Sequence, residues 1–465
     1  MKVHIGKIQN ILGLLKDNLS ELKEKVFLFM TIISIVSMCG VGRVSPIFAN
    51  PSRGTTSVSQ LIYDSSNRSK PENSQKPKTH TVFLPIVRKN DIQNPLHSIN
   101  IIYICACDNN LEEWCDVTIK QYLEPIGSSK DVHTYVLFDM APSSNEGTIL
   151  YAITGGGKTL IKDYGEMNMG DPFALANVDK YIRIHDPAER TFYVFYAHGS
   201  GSLDPASLNS AGLRPLPMDV LIDETDHDSL DMNELTEFLM LATNGGEHPL
   251  SGIVWAACFM QNMGVVSQAF DQEKGPLVLY VGGTPNISST KSYRYDEIMR
   301  RILENPGMST LAIMRLFGEY YKPELPGATD IDDYGIVDVT KLREFEISMA
   351  KVTQALMGYL PTYREKILAA REQTRHMGGG FDVPDYYEDY YDLQELLEAL
   401  GDQFYGYPNS RVFMEALDYF PIVWGRNTSL SIYFPEDGIP SFLFYRNNFT
   451  SATGWDEFLN RFAER

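Results

Sequence analysis

Basic charge is what this chain most lacks. Its 465 residues carry 40 Lys and Arg against 60 Asp and Glu, a formal net charge of −20. Nucleic-acid binding wants a basic face, and no basic run interleaved with aromatics occurs, so that class is excluded. Cysteine is scarce too, with five residues in all: Cys39, Cys105, Cys107, Cys115 and Cys258. An odd, sparse set predicts no disulfide framework. With no CxxC pair, a structural zinc site is not expected. Cys105 and Cys107 alternate along one apolar run and read as small buried hydrophobes. Internal repeats are missing. Hydrophobic residues make up 43% and charged ones 22%. That balance is ordinary for a globular protein, and the length suits two or three domains.

One apolar run stands near the N-terminus, "KEKVFLFMTIISIVSMCGVG". Lysines followed by an apolar stretch have the form of an export signal, with Ala49 in "SPIFAN" as the cleavage point. An uncleaved membrane anchor competes with this reading, although the run is a little short for a span, which needs about 20 residues. Met38 stands where a lipobox needs a small residue, so lipidation of Cys39 is not expected. Residues 50–95 open as a Ser-, Pro-, Asn- and Lys-rich stretch that buries too little apolar surface to fold alone, and they read as a spacer. Export followed by a spacer places the working part outside the cytoplasmic membrane, secreted or held at the cell surface.

From residue 96 onward, short apolar runs alternate with amphipathic ones. "INIIYICAC", "VHTYVLFDM", "TFYVFYAHG", "SGIVWAACF" and "PLVLYVGG" read as strands. "LEEWCDVTIKQYLEPI" and "DMNELTEFLMLAT" read as helices, the second with Met232, Leu235, Phe238 and Leu239 at helical spacing. Alternation of this kind predicts a mainly parallel sheet covered by helices on both faces. Function in such sheets gathers beyond the carboxyl ends of the strands. Two strands end there on reactive residues: His198 in "VFYAHGSGS" and Cys258 in "GIVWAACFMQN". A thiol becomes a useful nucleophile when an imidazole takes or balances its proton. The N–H groups of Gly199 and Cys258 are candidates to receive an oxyanion. The plain alternative, a core cysteine and a loop histidine, is weakened because both residues end strands and a Gly-Ser-Gly follows His198.

Five stretches in order then resemble the clostripain family of cysteine peptidases, within the caspase, gingipain and legumain superfamily. "AHGSGS" resembles the family's histidine motif, and "AACFM" its D-A-C-L-M cysteine motif. "ACDNNLEEW" is similar to its first-strand segment, and "LIDETDHDSLDMNELTEFL" to the stretch between the catalytic elements. "SLSIYFPED" is similar to its late strand, preceded by the helix-like "YYEDYYDLQELLEAL". The resemblance implies an α/β, caspase-like three-layer sandwich with a mainly parallel sheet over residues 96–303. Residues 304–465 read as a mainly helical C-terminal subdomain whose late strand returns to the sheet or packs beside it. The resemblance further implies a cysteine endopeptidase acting on protein or peptide substrates, with His198 as general base and Cys258 as nucleophile. Asp108 would shape the cleft, and Asp223 and Glu224 the loop before the helix. No cofactor is implied.

Two departures bear on specificity. The family favours Arg or Lys before the cleaved bond and places an aspartate two residues before the cysteine; here stands Ala256. Where the family has an acidic run after the next strand, this chain has Gly283, Thr284 and Pro285. A substrate pocket formed by Ala256, Gly283, Thr284 and Asp108 has thus lost carboxylates at two places, and an unpaired buried guanidinium is costly. The expectation is a pocket that does not select Arg or Lys. Self-cleavage after Arg214, the basic residue between the catalytic residues, is not expected either, because Pro215 follows it; the expectation is no cut there or a cut at another residue. Calcium activation occurs in the family, and "DIDDYGIVDV" is the acidic stretch that could take the ion, but it lacks the EF-hand spacing and reads as a turn. No metal site is assigned. "TGGGK" reads as a hairpin turn. The rival for the whole chain is a catalytically silent relative that uses the fold as a binding or scaffolding module.

Overall fold

The computed structural model describes residues 97–141, 147–202, 220–289, 291–322, 333–378, 388–439 and 447–464. The expected signal, anchor and spacer, Arg214, and Asp330 to Asp332 lie outside the described residues.

Nine strands form one sheet in the order β14-β12-β11-β8-β5-β1-β2-β3-β4. They are β1 (His97–Cys107), β2 (Val132–Met140), β3 (Thr148–Thr154), β4 (Gly157–Gly165), β5 (Ala188–Tyr196), β8 (Leu250–Ala256), β11 (Val278–Gly283), β12 (Tyr334–Asp338) and β14 (Ile422–Arg426). Neighbours from β11 through β8, β5 and β1 to β2 run parallel, and two antiparallel strands close each edge. The TGGGK stretch is the turn between β3 and β4, as its glycines predict.

Both faces of β1 are apolar and go to different cores. Ile102, Ile104 and Ala106 face one, with Leu175, Leu235 and Leu342. Ile101, Tyr103, Cys105 and Cys107 face the other, with Ile298 and Phe317. The first core is covered by α2 (Pro172–His185), α3 (Met232–Ala242) and α7 (Leu342–Gln373). The second is covered by α1 (Glu112–Thr118), α5 (Tyr295–Glu304) and α6 (Thr310–Glu319). A period-2 strand between two helical layers is what a three-layer sandwich requires. Helix α3 begins where the sequence places it, because Asp231 and Glu234 form a reciprocal capping box.

Three smaller strand pairs complete the described residues: β6 (Val220–Asp223) with β7 (Asp228–Leu230), β9 (Phe270–Asp271) with β10 (Gly275–Pro276), and β13 (Tyr390–Asp392) with β15 (Ser431–Tyr433). The late "SLSIYFP" strand is therefore β15, and it pairs with β13, not with the large sheet. The strand that does return is β14, through β12, and both lie beyond residue 303. The helix α8 (Leu393–Gln403) starts after β13, so the Tyr390–Asp392 part of the expected helix is extended.

A correction concerns the cysteines. Cys107 and Cys115 form a disulfide eight residues apart, with a Cα–Cα distance of 6.5 Å. Eight-residue spacing carries no sequence signal, yet the end of β1 and the body of α1 face each other over the second core. Closing a loop of this size is worth about 2.5 kcal/mol in the chain-entropy picture. The double variant Cys107→Ala/Cys115→Ala is expected to lose roughly that much stability. A urea unfolding curve with an unshifted midpoint would contradict it.

Candidate active site

The pairing of β5 with β8 sets Tyr196 opposite Ala256. The Ala197 N–H still reaches the Ala256 carbonyl, at 3.5 Å. His198 and Cys258 each follow two residues later, at matching places past the ends of neighbouring parallel strands. Gly199 allows the approach. A Cβ there would lie 2.7 Å from the Cys258 carbonyl oxygen, 2.9 Å from Met260 Cγ and 3.0 Å from Ala257 Cβ. Only a residue without a side chain fits that gap.

The histidine and the cysteine meet at one edge of the sheet but are not hydrogen-bonded to each other. His198 Nε2 lies 2.6 Å from Asn110 Oδ1. Burial lowers the imidazole's affinity for a proton. The Cys258 thiol is raised by burial, offset in part by the Ser288 N–H. That N–H donates to Sγ at 3.3 Å, and the thiol faces the Ser288 carbonyl at 3.5 Å. The N–H groups of Gly199 and Cys258 find no acceptor among the described residues.

Immediately after the cysteine the backbone turns sharply. Phe259 has φ 60°, an uncommon conformation for a bulky residue. Strain of this kind persists only when the surroundings hold it. Here the Phe259 N–H donates to the Asn286 carbonyl at 2.8 Å. Asn262 Nδ2 donates to the Phe259 carbonyl at 2.5 Å, and the Phe259 ring stacks on Tyr390 at 5.9 Å.

Both loops lean on the C-terminal part of the chain. The Tyr390 hydroxyl donates to the Ser200 carbonyl at 3.2 Å and accepts the Ser202 N–H at 3.1 Å. The Ser431 N–H donates to the Gln261 carbonyl at 3.1 Å, and Ser431 bridges to Asn262. Sequence reasoning did not single out Asn110, Ser288, Asn286, Phe259 or Tyr390. For Asn110 a signal existed, since it ends the "CDNN" run at the close of β1.

The expected pocket residues divide. Ala256 is half-buried and its side chain packs on the second core. Gly283 and Thr284 are buried and present no surface to a substrate. Gly283 pairs with Gly335 inside the sheet. Thr284 uses its carbonyl for the Gln261 N–H and its hydroxyl for the Asn286 N–H. Their placement in a pocket is corrected accordingly: they sit in the sheet and in the wall behind the Cys258 turn. The segment Ile287 to Ser289 that follows is only partly buried and lies beside the thiol. Asp108 is also buried, with Oδ2 accepting the Thr225 N–H at 2.8 Å. Asp223 accepts N–H groups from Asp226 and Met169, ordering the loop before α3 as expected.

Acidic groups crowd the first-core side of this edge. Oxygens of Asp108, Glu166 and Asp223 lie within 4.8 Å of one another. Asp139, wholly buried, is pushed up to about 8 by burial and by these three carboxylates, although Thr148 donates to its Oδ1. Its Oδ2 has no partner among the described residues. Asp333, from the acidic stretch considered for calcium, accepts instead from the Thr428 N–H, Asn286 and Arg375.

A model of the clostripain family matches residues 102–411. The fold is similar to a secreted C11 cysteine protease from Bacteroides thetaiotaomicron in complex with an irreversible peptide inhibitor. That match has 16% identity and a TM-score of 0.57, covering 77% of this chain and 100% of the other. An inactive zymogen C11 protease from Parabacteroides distasonis is similar at 15% identity and TM-score 0.53, over 79% of this chain and 97% of the other. A second Bacteroides thetaiotaomicron structure, the secreted C11 protease iotapain, matches at 13% identity and TM-score 0.53, over 79% and 100%. Comparison with curated proteins found no match. With two-thirds of its length matched by the family, and with a histidine and a cysteine delivered to one sheet edge, the chain belongs to the clostripain family of cysteine peptidases.

Proposed function

We propose that this chain is an exported cysteine endopeptidase whose pocket does not select Arg or Lys before the cut bond. The observation that carries the reading is the register of β5 on β8, which gives His198 and Cys258 equivalent places with Gly199 against the Cys258 carbonyl. In the reaction, His198 takes the thiol proton and Sγ attacks the peptide carbonyl. A tetrahedral oxyanion forms, received by the Gly199 and Cys258 N–H groups. The protonated imidazole returns its proton to the leaving amine, and water then releases the thioester. The reading assigns no cofactor. Ala256, standing where the family has its aspartate, offers no carboxylate to a guanidinium, and Ser288 and Ser289 beside the thiol are neutral.

Peptidyl thiol-reactive electrophiles that differ only in the first residue test this reading. Labelling is expected at Cys258, to be slowed by His198→Ala, and to be no faster with Arg or Lys than with neutral residues. A strong Arg preference would sink the pocket assignment. Slow labelling without dependence on His198 would favour the silent binding module. A second check lies at Gly199. Gly199→Ala is expected to push the two strand ends apart by tenths of an ångström and to lower turnover roughly tenfold. Its thermal midpoint should fall as well, because the added Cβ meets the Cys258 backbone carbonyl, and unaltered turnover would remove the need for the close approach.

A further inference from the structure

We infer that Asn110 is a third, positioning member of the site, holding the His198 imidazole from a loop that the fold has locked. The inference rests on reading His198 as the base. Asn110 is exposed, and its side-chain oxygen makes one hydrogen bond, to His198 Nε2 at 2.6 Å. An exposed amide held at that distance from a half-buried ring needs a rigid platform, since side chains lose entropy on meeting.

The residues around Asn110 provide one. Cys107 is tied to Cys115 by the disulfide. The Asp108 carbonyl accepts the Glu224 N–H at 3.1 Å, and its carboxylate accepts Thr225. Asn109 is buried. It donates to the Ala106 and Ile222 carbonyls, at 3.2 and 2.9 Å, and accepts the Leu111 N–H at 2.9 Å. Every neighbour from Cys107 to Leu111 is thus committed to the scaffold, and Asn110 alone points its amide at the imidazole.

The chemistry follows from the bond. An amide oxygen only accepts, so Nε2 carries its proton and donates it to Asn110. The ring is thereby fixed in the tautomer with a lone pair on Nδ1, and Nδ1 is the atom that takes the Cys258 proton. When the imidazole becomes charged, the same bond strengthens, which stabilises the imidazolium that a thiolate needs beside it. The titratable groups just past the ends of the strands on either side of β5 are Asp108, which follows β1, and Cys258, which follows β8; His97, Tyr103 and Cys105 lie within β1 itself.

The test uses Asn110→Ala, which removes the acceptor, and Asn110→Asp, which keeps it and adds charge. The titration midpoint of His198 is followed by NMR on histidine-labelled protein, with His198→Gln identifying the signal. The midpoint is expected to fall in the alanine variant and to rise in the aspartate variant. Turnover of a peptide substrate is expected to drop about tenfold to a hundredfold in the alanine variant with KM little changed, and to recover in the aspartate variant. Midpoints that stay where they are in both variants would overturn the role of Asn110. Should the unaltered chain cleave no peptide, the peptidase reading fails, and the NMR titration still decides on Asn110.

Discussion

Replacing Cys258 by alanine is expected to abolish peptide hydrolysis, and His198→Ala to lower it roughly a thousandfold. The asymmetry has a physical cause. Without Sγ no thioester can form, and no neighbouring group replaces it. Without the imidazole, the thiol must lose its proton to water or buffer. Burial makes that harder, because it raises the thiol while lowering the imidazole. Both shifts favour the uncharged pair in the free enzyme. Alkylation of Cys258 by iodoacetamide should therefore be slow near pH 7 and climb as the pH rises past the ordinary thiol range. Fast alkylation at pH 6, independent of His198, would mean that the thiolate is already formed and that the histidine is not its base. Hydrolysis persisting in Cys258→Ala would place the nucleophile elsewhere.

Asp139→Asn carries the largest expected gain in stability. The folded-state carboxyl is raised to about 8 by burial and by Asp223, Asp108 and Glu166. A group raised on folding helps most when both states hold the proton, below about pH 4, and that help is lost as the pH climbs towards 8. Asparagine does not titrate. Its amide oxygen keeps the Thr148 bond, and its NH2 gives the crowded carboxylates a donor. The variant should exceed the parent by about 3 kcal/mol at pH 8, with the gap closing towards pH 4. Urea midpoints at both pH values decide it. A gap of equal size at both would mean that Asp139 is not protonated by folding.

The sandwich was legible because its evidence is local. Runs such as Ile99–Cys107, apolar on both faces, can be buried only between two layers. The spacing of Met232, Leu235, Phe238 and Leu239 announces α3 without help from anything distant. Strand ends were legible as well, which is why His198 and Cys258 stood out. Partners were not. An apolar run says that it will pair but not with which strand, and so β15 was expected at or beside the large sheet, with no sign that its mate is β13. Tyr390 to Asp392 read as helix because the whole stretch was likened to one helix of the family, which carried the helix past its true start at Leu393. Gly283 and Thr284 were located by analogy with acidic positions, and nothing local reveals that they lie inside the sheet. The Cys107 to Cys115 closure and the Asn110 to His198 bond are tertiary meetings, invisible until α1 folds back over β1.

The bond from Ser431 to Gln261 also sets an order of events during synthesis. Ser431 lies 170 residues downstream of the carbonyl it caps. A ribosome adding about 5–20 residues per second needs roughly ten to thirty seconds to cover that distance. Through that interval the turn bearing Cys258 lacks the strand that fastens it, and the Tyr390 clasp on the histidine loop is missing for most of the same time. The edge that carries both reactive residues is therefore fastened late, well after His198 and Cys258 themselves have been made.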